Sequence, residues 1–423
     1  MKRGALSAVL RIVTRSLRQH AVSSAITALS VALACGLTMA VFVIDRQASA
    51  SFISGGRGFD AVLGARGSAL QLVLNSVFHL ETSPGNIPWK MYQTLRDDPR
   101  VSLAIPYAVG DNYKGFRIVG TTLDLFEKYE PRPGQKLRLL AGGKVFDPQQ
   151  RHAVLGSEAA RRTGLRIGSV FNSYHGLSYR ADAQHPDQFE VVGILEPTAG
   201  PMDRVVWVPI ESVYRMTGHT LRGAGQVFTP VQGQEIPDEH KEVSAVMLKF
   251  RGSATGFTMD ATINRQGNAA TLAWPIAKVV AEVFEKVGWI SKVLSLVACM
   301  VVIVAAGSIL AAMYNTMNER RRELAILRAL GAPRRILFTA IVTEAAAVAA
   351  CGVLGGFVVY AAILATVASI VRTQTGVMLD VWQPNAMLWQ VPVGMILLGA
   401  LAGIVPAIKA YRTDVASNIG PLS

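Results

Sequence analysis

Four long apolar stretches constrain this chain more than any other feature of its sequence. Residues 21–44 carry no charge over about 24 positions, and a helix needs roughly 20 apolar residues to cross the hydrocarbon of a bilayer. Residues 293–314 and 389–408 are also free of charge, and 336–370 is interrupted only by Glu344. We predict one transmembrane helix from each stretch, so the chain is expected to be a multi-pass membrane protein.

Two of these stretches leave alternatives open. The basic N-terminus and the small residues 48–50 also fit a cleaved secretory signal, but the first apolar run is longer than such signals usually are, which favours an anchored span. The third run would reach about 50 Å as one helix at 1.5 Å per residue. We therefore expect it to bend or loosen near Gly352, Gly355 and Gly356, or to extend beyond the bilayer.

The charge distribution predicts the orientation of the spans. The formal net charge is +13, and a hydrophobic content of 51% is too high for an ordinary soluble enzyme. Arginine and lysine gather at the N-terminus, in residues 315–335 and in the C-terminal tail, at the ends of spans. By the positive-inside rule these regions are cytoplasmic, which favours a membrane and argues against a nucleic-acid partner. The large intervening segment is then expected outside, which for a protein of the inner membrane of a Gram-negative cell is the periplasm.

That large segment has the pattern of a folded α+β domain inserted between the first and second spans. Short apolar or alternating runs at 101–107, 116–119, 189–195 and 205–208 predict strands, and residues 89–96 and 157–164 predict helices. After Pro275, apolar residues recur at helical spacing and run into the second span. We interpret this as a stalk; a helix merely packed on the outer domain is the alternative.

These patterns divide the chain into nine regions. They are an amphipathic helix at the inner membrane face (1–20), the first span (21–45), the periplasmic domain (46–274), the stalk and second span (275–317), a short cytoplasmic helix (318–335), the third span (336–370), a periplasmic loop (371–388), the fourth span (389–409) and a cytoplasmic tail (410–423).

The sequence shows no pattern typical of catalysis or of a cofactor site. Cys35, Cys299 and Cys351 all fall in apolar stretches, so no redox chemistry or disulfide is indicated. The seven histidines are scattered without the spacing of metal ligands, and we predict no metal and no cofactor. No G-x-x-x-x-G-K-[ST] phosphate loop is present, so the chain is not expected to hydrolyse ATP by itself.

The charged segment between the second and third spans is the most informative one. Strong helix formers run to Leu330, Gly331 can end a helix in a left-handed turn, and Pro333 prevents its continuation. These features predict a short basic helix on the cytoplasmic side of the membrane. The alternative is an ordinary cytoplasmic turn, since such turns also tend to be basic and helical.

This segment resembles a known family. The run ERRRELAILRALGA from Glu319 to Ala332 resembles the signature of FtsX-domain permeases, and Thr343-Glu344-Ala345 follows inside the next span as in that family. The ending GIVPAIKA (403–410) is similar too. In the outer segment, AVLGSEAA (153–160), GLRIG (164–168) and FEVVGIL (189–195) are similar to the periplasmic core domain of MacB-like permeases. The chain thus resembles the MacB/FtsX/LolC permeases, the type VII or mechanotransmission family of ABC transporters.

The resemblance implies that the cytoplasmic helix docks into a separate ABC ATPase subunit. The candidate coupling residues are Glu319, Arg320, Arg321, Arg322, Glu323, Leu324, Leu327, Arg328, Leu330 and Gly331. Glu344 is expected to snorkel or to pair with an arginine. We favour a structural role for it, linking the third span to the coupling region.

The resemblance also implies a function, and two classes remain open. In both, the chain is a non-catalytic permease, paired with a second copy or a close relative, that converts ATP hydrolysis by its partner into conformational work in the periplasm. The first class is export or extraction of a lipoprotein, lipid, peptide or drug, with a periplasmic adaptor or substrate protein as a further partner. The second is FtsX-like signalling that regulates a periplasmic partner without transport. We favour transport; a stand-alone secondary transporter is disfavoured by four spans without an internal repeat.

Overall fold

The computed structural model describes residues 3–53, 58–176, 179–230, 234–265, 270–376, 378–380 and 383–412. The chain forms two compact units. The helical unit comprises Met1–Gln47, Val287–Ser369 and Asp380–Ser423, and the α+β unit comprises Ala48–Lys286 and Ile370–Leu379. The predicted cytoplasmic tail lies outside the described residues from position 413 onwards.

Helices are numbered in chain order. They are α1 (Arg3–Gln19), α2 (Ala21–Ile53), α3 (Ala69–Ser76), α4 (Trp89–Arg96), α5 (Asp124–Glu127), α6 (Ser157–Thr163), α7 (Ile210–Tyr214), α8 (Ser253–Asp260), α9 (Ile276–Glu319), α10 (Arg321–Ala329), α11 (Arg334–Thr375), α12 (Met387–Ala402) and α13 (Ile404–Arg412). Within the described ranges, four segments are long and apolar enough to cross a membrane: Ala21–Ala50, Gly288–Glu319, Arg334–Thr375 and Met387–Lys409. The four predicted spans are confirmed.

Glycines in the third span serve close packing. α11 is one helix from Arg334 to Thr375, longer than the predicted 336–370. A Cβ added at Gly352 would lie 2.5 Å from the Val31 Cβ, and one added at Gly356 would lie 2.9 Å from the Cys35 Cβ. Small residues let helix backbones approach closely inside a membrane. The glycines expected to loosen this helix therefore make room for α2.

The apolar stripe of α1 also packs on α11. Val9 and Val13 are buried and form a cluster with Ala340. The sequence analysis placed this amphipathic helix at the membrane face as an anchor; within the helical unit, its apolar side contacts the third span.

Strands are likewise numbered in chain order. They are β1 (Ala61–Ala65), β2 (Ile87–Pro88), β3 (Val101–Tyr113), β4 (Phe116–Thr121), β5 (His152–Leu155), β6 (Val170–His175), β7 (Gln184–Ile194), β8 (Val205–Pro209), β9 (Glu242–Val243), β10 (Ala245–Phe250) and β11 (Ala270–Ala273). Nine of them form one sheet in the order β11-β1-β10-β3-β4-β8-β5-β7-β6, with a further pairing of β3 with β6. The β4–β8 and β5–β7 pairs are parallel and the others are antiparallel.

Both faces of this sheet are covered, because successive strand residues point to opposite sides. Val206 and Val208 lie in one buried cluster, with residues of α4, α6 and α7, while Trp207 between them lies in the other, with residues of α3 and α5. Ile276 and Val280, from the first turns of α9, belong to the second cluster. The predicted helices at 89–96 and 157–164 are present as α4 and α6, the latter ending one residue earlier. The predicted strands correspond to β3, β4, β7 and β8, although β7 ends one residue before the predicted end at 195. The α+β class is confirmed.

The end of the third span belongs to the α+β unit. The loop predicted at 371–388 begins as helix, because α11 continues to Thr375. The Arg372 Nε lies 3.2 Å from the Glu158 Oε2, and a Cβ added at Gly376 would lie 2.8 Å from the Gly200 carbonyl oxygen. This segment thus packs onto Glu158 and Gly200, residues that precede it by more than a hundred positions.

Candidate coupling helix and a histidine cluster

The charged segment folds as a separate short helix between two spans. α9 ends at Glu319, Arg320 breaks the helical geometry with a ψ of 9°, and α10 follows. Gly331 has the left-handed φ of 94° that the sequence analysis expected. The N–H of Gly331 donates to the Arg328 carbonyl, and the N–H of Ala332 donates to the Leu327 carbonyl, both at 3.0 Å. These bonds close the C-terminus of α10 just before α11 begins.

A buried polar network lies where this segment meets the bundle. The Arg320 Nη1 donates to the Ser16 Oγ at 2.5 Å and lies 3.6 Å from the Glu344 Oε2. The Ser16 hydroxyl donates in turn to the Glu344 Oε1. Ser16 is fully buried and Glu344 is 4% exposed. The carboxylate thereby connects α11 to α1 and to Arg320, the residue that precedes α10.

The remaining predicted contacts divide between an inward and an outward side. Leu327 lines a cavity with Thr316, Arg320 and Glu344, so it faces the bundle. On the outward side, Leu330 is 80% exposed. The Glu319 and Glu323 carboxylates are also exposed, the first lying 3.3 Å from the His20 Nδ1.

One outward residue, Ile326, is not among those predicted from the sequence. Its side chain is 45% exposed, on the same side of α10 as Leu330 and the exposed Arg322, because residues four apart share a helix face. That spacing was the available signal. Arg328 is half-buried and Gly331 is exposed. The side chains of Arg321 and Leu324 lie outside the described part of the chain.

A second candidate site lies in the α+β unit. Asp111, His175, His185 and His219 each offer one potential metal-ligand atom, and these atoms lie within 4.8 Å of one another. Burial raises the pKa of the Asp111 carboxyl, but the neighbouring His185 and His219 more than offset this and lower it to about 2. Sequence spacing predicted no metal site because the ligands are far apart in the chain: Asp111 and His185 are separated by 74 residues.

Comparison with known proteins identifies the family. Residues 295–415 match the family model of the FtsX-like permease C-terminal domain. Residues 24–265, more than half of the chain, match that of the MacB-like periplasmic core domain. A search among curated proteins gives no match.

Two solved structures are similar to part of the chain. The periplasmic region of MacB from Actinobacillus actinomycetemcomitans is 11% identical, with a TM-score of 0.33 over 54% of this chain and 94% of that one. The extracellular domain of the noncanonic ABC-type transporter YknZ from Gram-positive bacteria is 12% identical, with a TM-score of 0.30 over 50% and 99%. The family assignment rests on the two domain matches and not on these structures. The chain belongs to the MacB/FtsX family of ABC transporter permeases, which work with ABC ATPase partners.

Proposed function

We propose that this chain is the non-catalytic permease subunit of an ABC system, and that α10 is the element which docks into the ATPase subunit. The observation that carries the proposal is the outward face of α10. Leu330 and Ile326 expose large apolar side chains on this helix, which connects two spans. Arg322 and Glu323 are exposed beside them.

Contact with another protein is more favourable for such a face than exposure to water. Burying one leucine side chain contributes about 1.5 to 3 kcal/mol. Protein interfaces typically surround an apolar centre with arginine and other polar groups. The sequence lacks a phosphate-binding loop, so ATP hydrolysis is assigned to the partner.

The orientation follows from the charges. Arginine is concentrated around α10 and at the N-terminus, which argues that both lie in the cytoplasm. The protein then lies in the inner membrane of a bacterium, with its α+β unit in the periplasm. α10 is on the side where ATP is available.

Motion of α10 has a path to the other side of the membrane. The Arg320–Ser16–Glu344 network holds the start of α10 to α1 and α11, so a displacement of α10 moves these helices instead of bending a free loop. α9 is 44 residues long, about 66 Å at 1.5 Å per residue, and exceeds the roughly 30 Å of hydrocarbon. We propose that α9 acts as the stalk, because its first turns are built into the α+β core.

We further propose that the work done is export or extraction of a periplasmic lipoprotein, lipid, peptide or drug. The third span has a single acidic residue, Glu344, and that carboxylate is engaged by Arg320 and Ser16. A polar tunnel through the bundle has little support, which favours work done outside the membrane. Two permease copies, each with one ATPase, fit this mechanism, and an adaptor protein is a further candidate partner.

The decisive experiment is co-purification of the permease with its ATPase, followed by ATP hydrolysis assays in lipid. Leu330→Asp places a charge in the proposed contact, and we expect loss of the bound ATPase and of permease-dependent hydrolysis. Leu140→Asp, the same change at a leucine of the α+β unit that is 43% exposed, is the matched control and should leave both intact. Equal ATPase binding by the two variants would refute the docking role of α10.

Transport is then separated from signalling in proteoliposomes. With the ATPase bound, ATP-dependent release of a lipid-anchored or lipid substrate from the outer leaflet supports extraction. ATP-dependent binding or activation of a periplasmic protein, with no substrate released, supports signalling instead.

A further inference from the structure

Three histidines and one aspartate converge where β3, β6 and β7 of the nine-stranded sheet meet. Asp111 in β3 and His175 in β6 are direct partners across two antiparallel strands. His185 lies in β7, next to β6. His219 follows α7 in a turn, where its own N–H donates to the Met216 carbonyl. Four separate elements therefore each deliver one side chain to the same point.

The spacing of the ligand atoms suits a metal ion. The Asp111 Oδ1 lies 3.3 Å from both the His175 Nδ1 and the His185 Nε2, and the Asp111 Oδ2 lies 3.4 Å from the His219 Nε2. A tetrahedral ion with bonds of about 2.0 to 2.1 Å places neighbouring ligands about 3.3 Å apart. All four ligand atoms lie within 4.8 Å of one another, so closure around an ion needs only a small inward movement of the more distant pairs.

Backbone carbonyls fix which nitrogen of two rings carries the proton. The His185 Nδ1 lies 3.0 Å from the Thr217 carbonyl oxygen, and the His219 Nδ1 lies 2.9 Å from the Val213 carbonyl oxygen. A carbonyl oxygen only accepts, so both Nδ1 atoms donate. In the neutral ring the Nε2 then presents a lone pair towards the cluster. Metal-bound histidines are held in this way, with the other ring nitrogen donating to a carbonyl or carboxylate.

Without an ion, neutral His185 and His219 rings have no hydrogen-bond donor to share with Asp111. The Nε2 lone pairs of these two rings face the Asp111 carboxylate, which also only accepts when ionised. Among the described residues, the buried Asp111 Oδ2 and His219 Nε2 have no hydrogen-bond partner. A divalent cation between neutral imidazoles and the carboxylate satisfies every one of these atoms.

The surroundings hold the ligands in place. The Asn112 side-chain amide donates to the carbonyls of Tyr174 and Gly176, the two neighbours of His175. The Asp187 carboxylate accepts the Thr217 N–H at 2.7 Å and pairs with Arg151 at 2.6 Å. Thr217 is the residue whose carbonyl orients His185. A second layer of hydrogen bonds thus positions the ligand set in advance.

We propose that Asp111, His175, His185 and His219 bind one divalent transition-metal ion, with Zn²⁺ as the representative of its class. Imidazole nitrogens suit Zn²⁺, Ni²⁺ and Co²⁺, whereas Mg²⁺ and Ca²⁺ prefer oxygen ligands alone. The His175 side chain is 64% exposed, so an ion can enter from solvent and exchange. The bound ion would join β3, β6, β7 and the turn after α7.

The test is Zn²⁺ binding by the full-length protein in detergent, purified with a histidine-free tag and stripped by a chelator. Zn²⁺ is titrated in competition with a chromophoric chelator. We expect one equivalent to bind, and affinity to fall on the order of 100-fold in His185→Ala and in His175→Ala. His240→Ala, a histidine of the same unit outside the cluster, should bind like the wild type.

Co²⁺ substitution gives a second readout, because visible absorption bands report nitrogen and oxygen ligands directly. These bands should appear in the wild type and in His240→Ala and be lost in His185→Ala. If His185→Ala does not fold, His175→Ala decides, since its exposed side chain carries little of the core. The proposal is overturned by a wild type that binds less than a tenth of an equivalent, or by wild-type affinity in the folded His175→Ala variant.

Discussion

The Arg320 guanidinium lies 3.6 Å from the Glu344 carboxylate, with the Ser16 hydroxyl bonded to both side chains. We predict that Arg320→Ala destabilises the helical unit by about 3 kcal/mol, because it removes the arginine from a buried carboxylate and leaves Ser16 as its hydrogen-bond partner among the described residues. Arg320→Ala combined with Glu344→Gln should recover much of this loss, since no buried charge then remains unpaired. Thermal unfolding in detergent measures both. Additive losses in the double variant would show that the two groups do not interact.

Close packing of α2 on α11 predicts a sharp response to a single methyl group. Gly352→Ala places a Cβ 2.5 Å from the Val31 Cβ and 2.7 Å from the Ala28 carbonyl oxygen, so a backbone must move. We expect a loss of about 1 to 3 kcal/mol, seen as a lower unfolding temperature. Gly307→Ala is the control in the second span: among the described residues, an added Cβ there has no neighbour within 4 Å apart from its own helix backbone, and the variant should be neutral or slightly stabilising. Equal unfolding temperatures for the two variants would contradict the packing role.

His79 should make the α+β unit sensitive to mild acid. Burial, followed by the charges of Arg117 and Arg204, lowers the pKa of His79 from 6.5 to about 3. Between pH 6.5 and 3 the unfolded chain therefore binds a proton that the folded unit does not. Stability is fully present above pH 6.5 and falls as the pH drops, by up to about 1.4 kcal/mol per pH unit.

The check is the unfolding temperature measured from pH 7.5 to 5 in the wild type and in His79→Asn. Asparagine accepts the left-handed backbone of this position, where φ is 55°. We expect the variant to lose part of the wild-type pH dependence, whereas His240→Asn should retain it. An unchanged slope in His79→Asn would show that His79 is not the responsible group.

The end of α11 contributes a modest amount to the stability of the α+β unit. Glu158 is 2% exposed and receives bonds from Arg161 as well as the contact with Arg372. Arg372→Ala leaves the Arg161 bonds in place, so we expect a loss of about 1 kcal/mol or less. Glu158→Ala removes the shared acceptor and should cost clearly more. Denaturant or thermal unfolding measures the loss of stability in both variants. A larger loss in Arg372→Ala than in Glu158→Ala would contradict this prediction.

Local patterns predicted those parts of the protein that depend on neighbours in sequence. Uncharged runs of about 20 residues identify the spans because the bilayer imposes that length. The left-handed turn at Gly331 and the strand at 205–208 follow from local residue preferences. Apolar spacing could also have found Ile326, but the direction in which Leu327 points depends on how α10 packs beneath the bundle.

Features built from distant segments could not be predicted in this way. Asp111 and His185 meet only because β3, β6 and β7 pair, and no spacing rule encodes that pairing. The role of Gly352 likewise depends on Val31 of another helix. Pairing with an arginine was one of the two environments that the sequence suggested for Glu344. The bond to Ser16 could not be predicted, because it depends on the packing of α1 on α11.

The contact of Arg372 with Glu158 has a consequence for how this protein can be divided. The α+β unit is encoded in two separated pieces, and the second piece, Ile370–Leu379, begins inside the helix of the third span. A fragment that ends with the first piece lacks the guanidinium that contacts Glu158 and the close approach of Gly376 to Gly200. Exchanging this domain between relatives therefore means exchanging the end of a transmembrane helix with it.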